Sequence, residues 1–334
     1  MITIKIRLTT VLIITALLFT LISCGPAADN SGDLNSDLNS NVATTRSSAV
    51  STTETSPIPN YSLTVFSTND IHGNLDALPK FSTIVNKARA EKSNVLLVDA
   101  GDFFRKGPYE NFQGKIEIDI FNKMGYDAVA AGNNEYDVPP DIPGSYYTNS
   151  KNQISNIIRW ANFPVLNSNI SLHETNKPDE GLEPYTVKSI GGLKIGIIAL
   201  ACKDNSDDIR TYRSSDLALA EILPEVKKVS DIQIVLGHDN MSVLRNMKGI
   251  GAILSGHEHT ATPYPFLTFE GRPIMQAGGE AQYLAQLDLE FEFLNGTWEL
   301  IRYSGKLHSA SNIEADQSVR AIVEEYKKQP IPYK

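Results

Sequence analysis

The sequence predicts an α/β fold in a single domain, and three observations carry that prediction. Apolar runs of strand length alternate with amphipathic helical patterns from residue 61 to about residue 255. Side chains able to ligate a metal follow five of those runs. Beyond residue 283 the pattern turns to long segments that alternate strictly between apolar and charged residues. The folded part, residues 60–334, has 334 − 59 = 275 residues, a length that would allow one large domain or two small ones. Alternating strands and helices followed by a strand-rich portion indicate stacked α/β layers rather than two domains.

In order, Tyr61–Thr68 reads as a strand and Leu78–Glu91 as an amphipathic helix. Asn94–Ala100 is almost continuously apolar, as suits a strand buried on both faces. Gly114–Met124 is helical, Ala128–Ala131 a strand and Gln153–Ala161 a helix. Leu193–Leu200, Ile232–Leu236 and Ala252–Ser255 are apolar strands, with a helix around Asp216–Lys227. Leu287, Leu289, Phe291 and Phe293 alternate with Asp288, Glu290 and Glu292, which marks a strand with one wet face. Asn295-Gly296 signals a tight hairpin into Thr297–Tyr303, and Ala315–Lys328 closes the chain as a helix. No internal repeat of 20–50 residues is visible.

The N-terminus is predicted to lie outside this fold. Lys5 and Arg7 precede an apolar run, Leu8–Ile22, that is short for a membrane span of about 20 residues but suits a secretory signal, residues 1–23. Leu21-Ile22-Ser23-Cys24 resembles the bacterial lipobox, so Cys24 is expected to carry a lipid anchor and the protein to sit at the cell envelope, outside the cytoplasm. The glycine after Cys24 leans towards the outer membrane. Residues 24–59 are rich in Ser, Thr, Asn and Asp and read as a disordered tether reaching roughly 30–35 Å. Cleavage before Cys24 takes the net charge from −9 to −9 − 2 = −11. So acidic a protein is repelled by phosphate backbones, which argues against a nucleic-acid polymer as partner. Apart from Cys24 only Cys202 remains, so no internal disulfide is available.

The polar residues behind the strands carry the chemistry. Asp70 and His72 follow the first strand, Asp102 the second and Asn133 the third. His238 ends the run Ile234–His238, and His257 and His259 follow Ile253–Gly256, so four of the six histidines lie at these positions. Side chains at the carboxyl ends of neighbouring strands converge on one crevice. Any one of these elements alone could be a structural turn.

In this order, D-x-H, G-D, G-N, H and G-H-x-H, the set resembles the calcineurin-like metallophosphoesterases. The segments STNDIHGNL, VDAGDFF, GYDAVAAGNNEYD, LSGHEHT and PIMQAGGEAQYL are similar to the 5′-nucleotidase and cyclic-nucleotide phosphodiesterase branch, over roughly Ser62 to Leu307. The resemblance implies a four-layer α/β/β/α sandwich with mixed sheets. It also implies that Asp70, His72 and His259 bind one metal, that Asn133, His238 and His257 bind another, and that Asp102 bridges them. Carboxylate, amide and imidazole donors suit Mn, Fe, Zn or Co. Two such cations about 3.5–4 Å apart activate a water and clamp the phosphoryl oxygens of a small phosphorylated substrate.

Two departures matter. Where the family usually has G-N-H-E-[FY]-D, this chain has Gly132-Asn133-Asn134-Glu135-Tyr136-Asp137. Asp137, the usual partner of that histidine, is kept, but Asn134 cannot deliver a proton to the leaving group. A positioned acid contributes about 10²–10⁴-fold, so hydrolysis should slow, most for poor leaving groups. The second departure is that the sequence ends soon after the catalytic domain, leaving no base-binding domain and no inherited nucleotide specificity. Two readings follow: a hydrolase for some phosphoester, or a degenerate metal- and ligand-binding lipoprotein with little turnover. A sulfur-ester hydrolase is a further alternative.

Arg105 and Lys106 either help hold phosphate or are solvent-exposed loop cations. His173 and His308 match no ligand element and are expected at the surface. Cys202 reads as a buried small apolar residue, Tyr136 as packing or lining the cleft, and Asp99 and Asp127 as loop-organising carboxylates.

Overall fold

In the structure, a computed structural model, residues 60–136, 150–203 and 210–330 are described, without the side chains of 150–153. The expected signal peptide, Cys24, the tether and Asp137 lie outside the described residues. The first half of the chain runs β1 (Asn60–Thr68), α1 (Leu78–Glu91), β2 (Val95–Asp99), α2 (Lys115–Met124), β3 (Ala128–Ala130), α3 (Ser150–Trp160), β4 (Val165–Leu166), β5 (Ile170–Leu172), β6 (Tyr185–Ile190), β7 (Leu193–Ala201) and β8 (Arg210–Tyr212). There follow α4 (Ser215–Val229), β9 (Ile232–His238), α5 (Met241–Leu244), β10 (Ala252–Ser255), β11 (Phe266–Leu267), β12 (Pro273–Gln276), β13 (Tyr283–Leu294), β14 (Thr297–Ser309) and α6 (Gln317–Lys328).

The strands build two six-stranded sheets and a small β5–β8 ribbon. One sheet has the order β14-β13-β1-β2-β3-β4, with β1 to β4 parallel and β13 and β14 antiparallel. The other has the order β11-β12-β10-β9-β7-β6, parallel from β12 to β7 and antiparallel at both edges. Both are therefore mixed sheets.

Side-chain alternation along each strand explains how they stack. Leu63 and Val65 of β1 and Leu96 and Val98 of β2 face Ile195, Ile197, Ile234, Leu236 and Leu254 of the second sheet in one buried cluster. The intervening residues point outward. Phe66 and Leu97 pack with α1, α2, α3 and α6 in a second cluster, while Ile198, Leu200, Val235 and Ile253 pack with α4 and α5 in a third. The result is a four-layer α/β/β/α sandwich, and it accounts for the unbroken apolar runs, since these strands are covered on both faces.

Local chemistry sets the ends of several elements. Leu294 pairs with Thr297 across a two-residue turn in which Asn295 and Gly296 have φ of 52° and 89°. A type I′ turn needs positive φ at both positions, which Asn and Gly tolerate best. Helix α6 begins at its N-cap Asp316, whose carboxylate accepts the Ser318 amide at 2.9 Å.

The carboxyl ends of β1, β2 and β3 in one sheet and of β9 and β10 in the other open at the same edge of the sandwich. His238, at the end of β9, reaches across to donate from Nδ1 to the carbonyl of Ala100, just past β2, at 2.8 Å. Among the described residues no helix is long and apolar enough to cross a membrane.

Candidate metal centre

The loops leaving β1 and β2 are stitched together by their backbones: Asp70 N donates to Gly101 O at 2.9 Å and His72 N to Asp102 O at 3.1 Å. The same loops twist into the left-handed region, with φ of 47° at Asp70, 47° at His72 and 57° at Asp102. His257 and His259 follow suit at 81° and 53°. Non-glycine residues adopt this conformation at a cost of order 1–3 kcal/mol each, and it persists only where the surroundings hold it. Five of the seven proposed ligands are in this strained state, concentrated in one crevice.

What holds them is a shell of hydrogen bonds. Asn69 Nδ2 and the backbone amide of His257 both donate to Asp70 Oδ2, at 2.7 and 2.9 Å. The buried Glu135 carboxyl accepts four amides, from Gly132 at 2.7 Å, Asp102 at 2.9 Å, Phe103 at 3.1 Å and Phe104 at 3.5 Å, tying the second loop to the third. Gln276 Oε1 accepts the Thr260 amide at 2.6 Å and its Nε2 donates to Gly256 O at 3.2 Å, which fixes the Gly256–His259 turn. That turn requires glycine at its head: a Cβ on Gly256 would lie 2.7 Å from His238 Nδ1 and 3.1 Å from Asp70 Oδ2.

Two donor clusters result. In the first, His72 Nε2 and His259 Nε2 are 3.2 Å apart, and Asp70 Oδ1 is 3.3 Å from His259 Nε2 and 4.0 Å from His72 Nε2. In the second, Asn133 Oδ1 is 3.2 Å from both His238 Nε2 and His257 Nδ1. Asp102 Oδ2 lies between them, 3.2 Å from His238 Nε2 and 3.9 Å from His72 Nε2. Asp70 Oδ1 also comes within 3.9 Å of His238 Nε2, so both carboxylates face both clusters. Asp70, Asp102 and His238 are fully or almost fully buried, whereas the His259 side chain is 44% exposed and marks the mouth of the crevice.

These residues fit a pair of cations. The His238 Nδ1 bond to Ala100 O leaves Nε2 free to point its lone pair inward. Two imidazole nitrogens at 3.2 Å and two buried carboxylates crowd donor atoms that repel one another unless positive charge sits among them. Without metal, protons serve: burial disfavours charge on His238, but Asp102 outweighs it and pushes the imidazole up to about 10. For Asp102, burial opposes ionisation, yet His238 and the Asn134 amide hold the carboxyl well below the usual range. Burial lowers His72, and burial with His238 nearby lowers His257. Oxygen and imidazole donors at these spacings suit divalent Mn, Fe, Zn or Co.

Asn134 occupies a place that its sequence motif does not reveal. Its backbone amide donates to Asp102 Oδ1 at 2.8 Å and its side-chain Nδ2 to Asp102 Oδ2, so it is buried against the central carboxylate. Arg105 departs from the reading of a solvent-exposed loop cation: it is buried, with Nε 3.6 Å from Glu110 Oε1, while Lys106 is exposed. His308 sits at the surface but is half-covered. Its ring lies 5.9 Å from that of Phe66 at a 46° tilt and bonds Gln286 Oε1 at 2.8 Å, and burial lowers it to about 4. His173 is exposed as expected. Tyr136 packs under the Arg210 guanidinium, 4.7 Å from its ring centroid. Asp99 accepts the Gly101 amide at 2.8 Å and Asp127 the Leu97 amide at 2.9 Å, each organising a loop.

Cys202 corrects the expectation of a buried apolar residue. It is half-buried, and its Sγ lies 3.3 Å from His257 Nδ1 and 3.6 Å from Asn133 Oδ1. The sequence motifs do not single out Asn69, Glu135 or Gln276, and they misassign Cys202. The first three stand inside the quoted motifs, where their neighbours drew the attention, and Cys202 follows β7 with no polar motif to flag it.

Comparison with known proteins relates the fold to a known family. The family profile described as Calcineurin-like phosphoesterase matches residues 63–261, more than half the chain. The chain is 26% identical over 314 residues to a 5′-nucleotidase of Rattus norvegicus, covering 80% of this chain and 52% of that protein. It is 25% identical over 270 residues to the trifunctional nucleotide phosphoesterase protein YfkN of Bacillus subtilis, covering 70% of this chain and 18% of that one. The crystal structure of a calcineurin-like phosphoesterase YfkN from Bacillus subtilis superposes with a TM-score of 0.69 at 22% identity, covering 82% of this chain and 99% of that one. The chain thus spans about half the length, or less, of these two curated relatives.

Proposed function

Since this chain belongs to the calcineurin-like phosphoesterase family, we propose that it hydrolyses small phosphoesters, nucleotides among them, at a centre of two divalent cations. The observation that carries this reading is the meeting of two donor clusters in one crevice, with the buried carboxylates of Asp70 and Asp102 both facing each cluster. Asp70, His72 and His259 would hold one cation and Asn133, His238 and His257 the other, with Asp102 shared. When bound, such cations supply an activated water and neutralise the phosphoryl oxygens. Asn133, as a ligand beside the reacting phosphate, and Arg105, three residues past Asp102, would meet the substrate.

The chain's own residues set the rest of the chemistry. Asn134 replaces the proton donor usual in the family and spends its amide on Asp102. It is therefore a positioning residue, and the leaving oxygen takes its proton from solvent. Asp137 retains the place of the usual histidine's partner, with no histidine to orient. Esters whose leaving groups need no proton should be the better substrates. We further propose that Cys24 carries a lipid anchor, with residues 24–59 as tether, so that the catalytic domain works at the cell envelope outside the cytoplasm.

The test is phosphate and alcohol release by purified protein, stripped with a chelator and reloaded with Mn, Zn, Fe or Co in turn, over a panel of mono- and diesters including nucleotides. Metal-dependent turnover is expected on at least one ester class. Tight metal uptake with no turnover on any ester would make the protein a binding lipoprotein instead.

A further inference from the structure

The end of the sandwich opposite the crevice carries features that the metal centre does not use. β1 starts there at Asn60 and its other end leads into Asp70, so the described chain enters the fold on the far side from the crevice. β9 likewise starts there at Ile232 and ends at His238. Between the start of β9, residues 249–251 and the β13–β14 turn lies a cavity of about 440 Å³. Phe291, Phe293 and Trp298 line it together with Lys227 and Arg272, and the Phe293 and Trp298 rings are 5.4 Å apart. Four large apolar side chains are 37–68% exposed at the same end: Val229 closing α4, Leu267 and Phe269 before β12, and Phe293 before the hairpin turn. Arg245 lies over the Phe269 ring, 4.9 Å from its centroid, and Arg272 reaches Glu299 of β14 at 3.6 Å, so this segment is held against the hairpin. Exposed apolar side chains gathered around a cavity with cationic residues mark a binding surface.

We infer that this end of the sandwich docks on an anionic phospholipid surface. The inference rests on the lipid anchor proposed above and deepens it, because the chain that carries the anchor joins the fold on this same face. Asn60 pairs with Glu292, and the Tyr61 ring meets that of Trp298 edge-on at 6.1 Å. Aromatic side chains favour the headgroup boundary, and anionic lipid attracts the cations beside them. Lys227, Lys228 and Lys248 have no ion-pair partner among the described residues. The acids near them are engaged: Asp231 accepts the Lys194 amide, Glu270 the Gly249 amide, and Glu299 faces Arg272. Glu292 adds one further negative charge. The face thus offers free cations on a chain whose net charge is −9. A nine-residue strand such as β1 spans roughly 25–30 Å, so docking holds the crevice about that far above the lipid. It then opens towards soluble phosphoesters and away from those of the membrane itself.

The experiment uses the full chain, produced with its own N-terminus and reconstituted into vesicles of phosphatidylethanolamine and phosphatidylglycerol with brominated acyl chains. The chain has two tryptophans, Trp160 and Trp298. In a Trp160→Phe/Trp298→Phe background, Phe269→Trp puts a fluorophore on the proposed face. Leu217→Trp puts one at the other end of α4, where Leu217 is equally an exposed apolar residue. Bromine should quench the first and leave the second bright. Should the double replacement fail to fold, the same two substitutions in the native background are read as the gain in quenching over the parent. Lys227→Ser, Lys228→Ser and Lys248→Ser should each weaken docking roughly five-fold, and omitting phosphatidylglycerol should weaken it further. Equal quenching at both positions, or none at either, in a protein whose intact mass shows acyl chains on Cys24 would overturn this inference and leave the anchor standing. A mass without acyl chains on Cys24 would overturn the anchor and this inference with it. Dimers in detergent that Phe269→Ser separates would give the face to a second copy of the chain, and so overturn its assignment to lipid.

Discussion

The proposed hydrolysis makes its sharpest residue-scale prediction at Asn134. Its side chain and backbone both donate to Asp102, so the carboxylate facing the two clusters is oriented by a residue that cannot act as an acid. Replacing it with histidine should supply an acid, worth about 10²–10⁴-fold where the leaving group needs a proton. Asn134→His is therefore expected to speed the hydrolysis of alkyl phosphates far more than that of nitrophenyl phosphate. Equal acceleration of the two ester types, measured as kcat/KM, would contradict this account. A second residue-scale expectation concerns Glu117, which is buried with Oε2 unpartnered among the described residues. Burial raises its carboxyl from 4.5 to about 8. Between those values the unfolded chain has released the proton while the folded protein keeps it. Stability therefore falls as pH rises through that window, by up to ~1.4 kcal/mol per unit from this one group. Glu117→Gln should flatten that slope in urea unfolding measured from pH 5 to 8; an unchanged slope would show that Glu117 is not the group responsible.

At the scale of elements, strands bring the ligands close and loops aim them. The strands were legible because burial on both faces writes a nearly continuous apolar run, broken only by Lys194 in β7 and Gln233 in β9. α1 was legible to the residue because its apolar face repeats with the helical period and Pro79 marks its first turn. The two- to four-residue strands β4, β5, β8, β11 and β12 are too short to show any period, and the half-buried edge strand β6 shows no clean alternation. Of the site, the donors could be read because they stand directly behind apolar strands. The left-handed backbone at Asp70, His72, Asp102, His257 and His259 could not be read, because it arises from contacts between loops far apart in sequence. The same holds for Cys202, whose neighbours His257 and Asn133 are 55 and 69 positions away. Packing between the sheets gives a direct check of the element scale. Leu236 is fully buried in the inter-sheet cluster, so Leu236→Ala is expected to cost about 2–5 kcal/mol in chemical unfolding. A loss under about 1 kcal/mol would mean that the sheets are not closely packed there.

At the scale of the molecule, the two sheets matter because both supply donors, four from one and three from the other. Asp70, His72, Asp102 and Asn133 come from the ends of the first sheet, and His238, His257 and His259 from the ends of the second. Neither sheet alone supplies both donor clusters, so the proposed cation pair depends on the sandwich. The excess negative charge of the whole chain, −9, would repel a phosphorylated substrate, and bound cations reverse that sign locally. The most direct test is phosphate release by chelator-stripped protein, followed as cation is added back in measured equivalents. The account predicts no turnover in the stripped protein and a rise that saturates at two equivalents per chain. Turnover that survives stripping, or that is complete at a single equivalent, would contradict it.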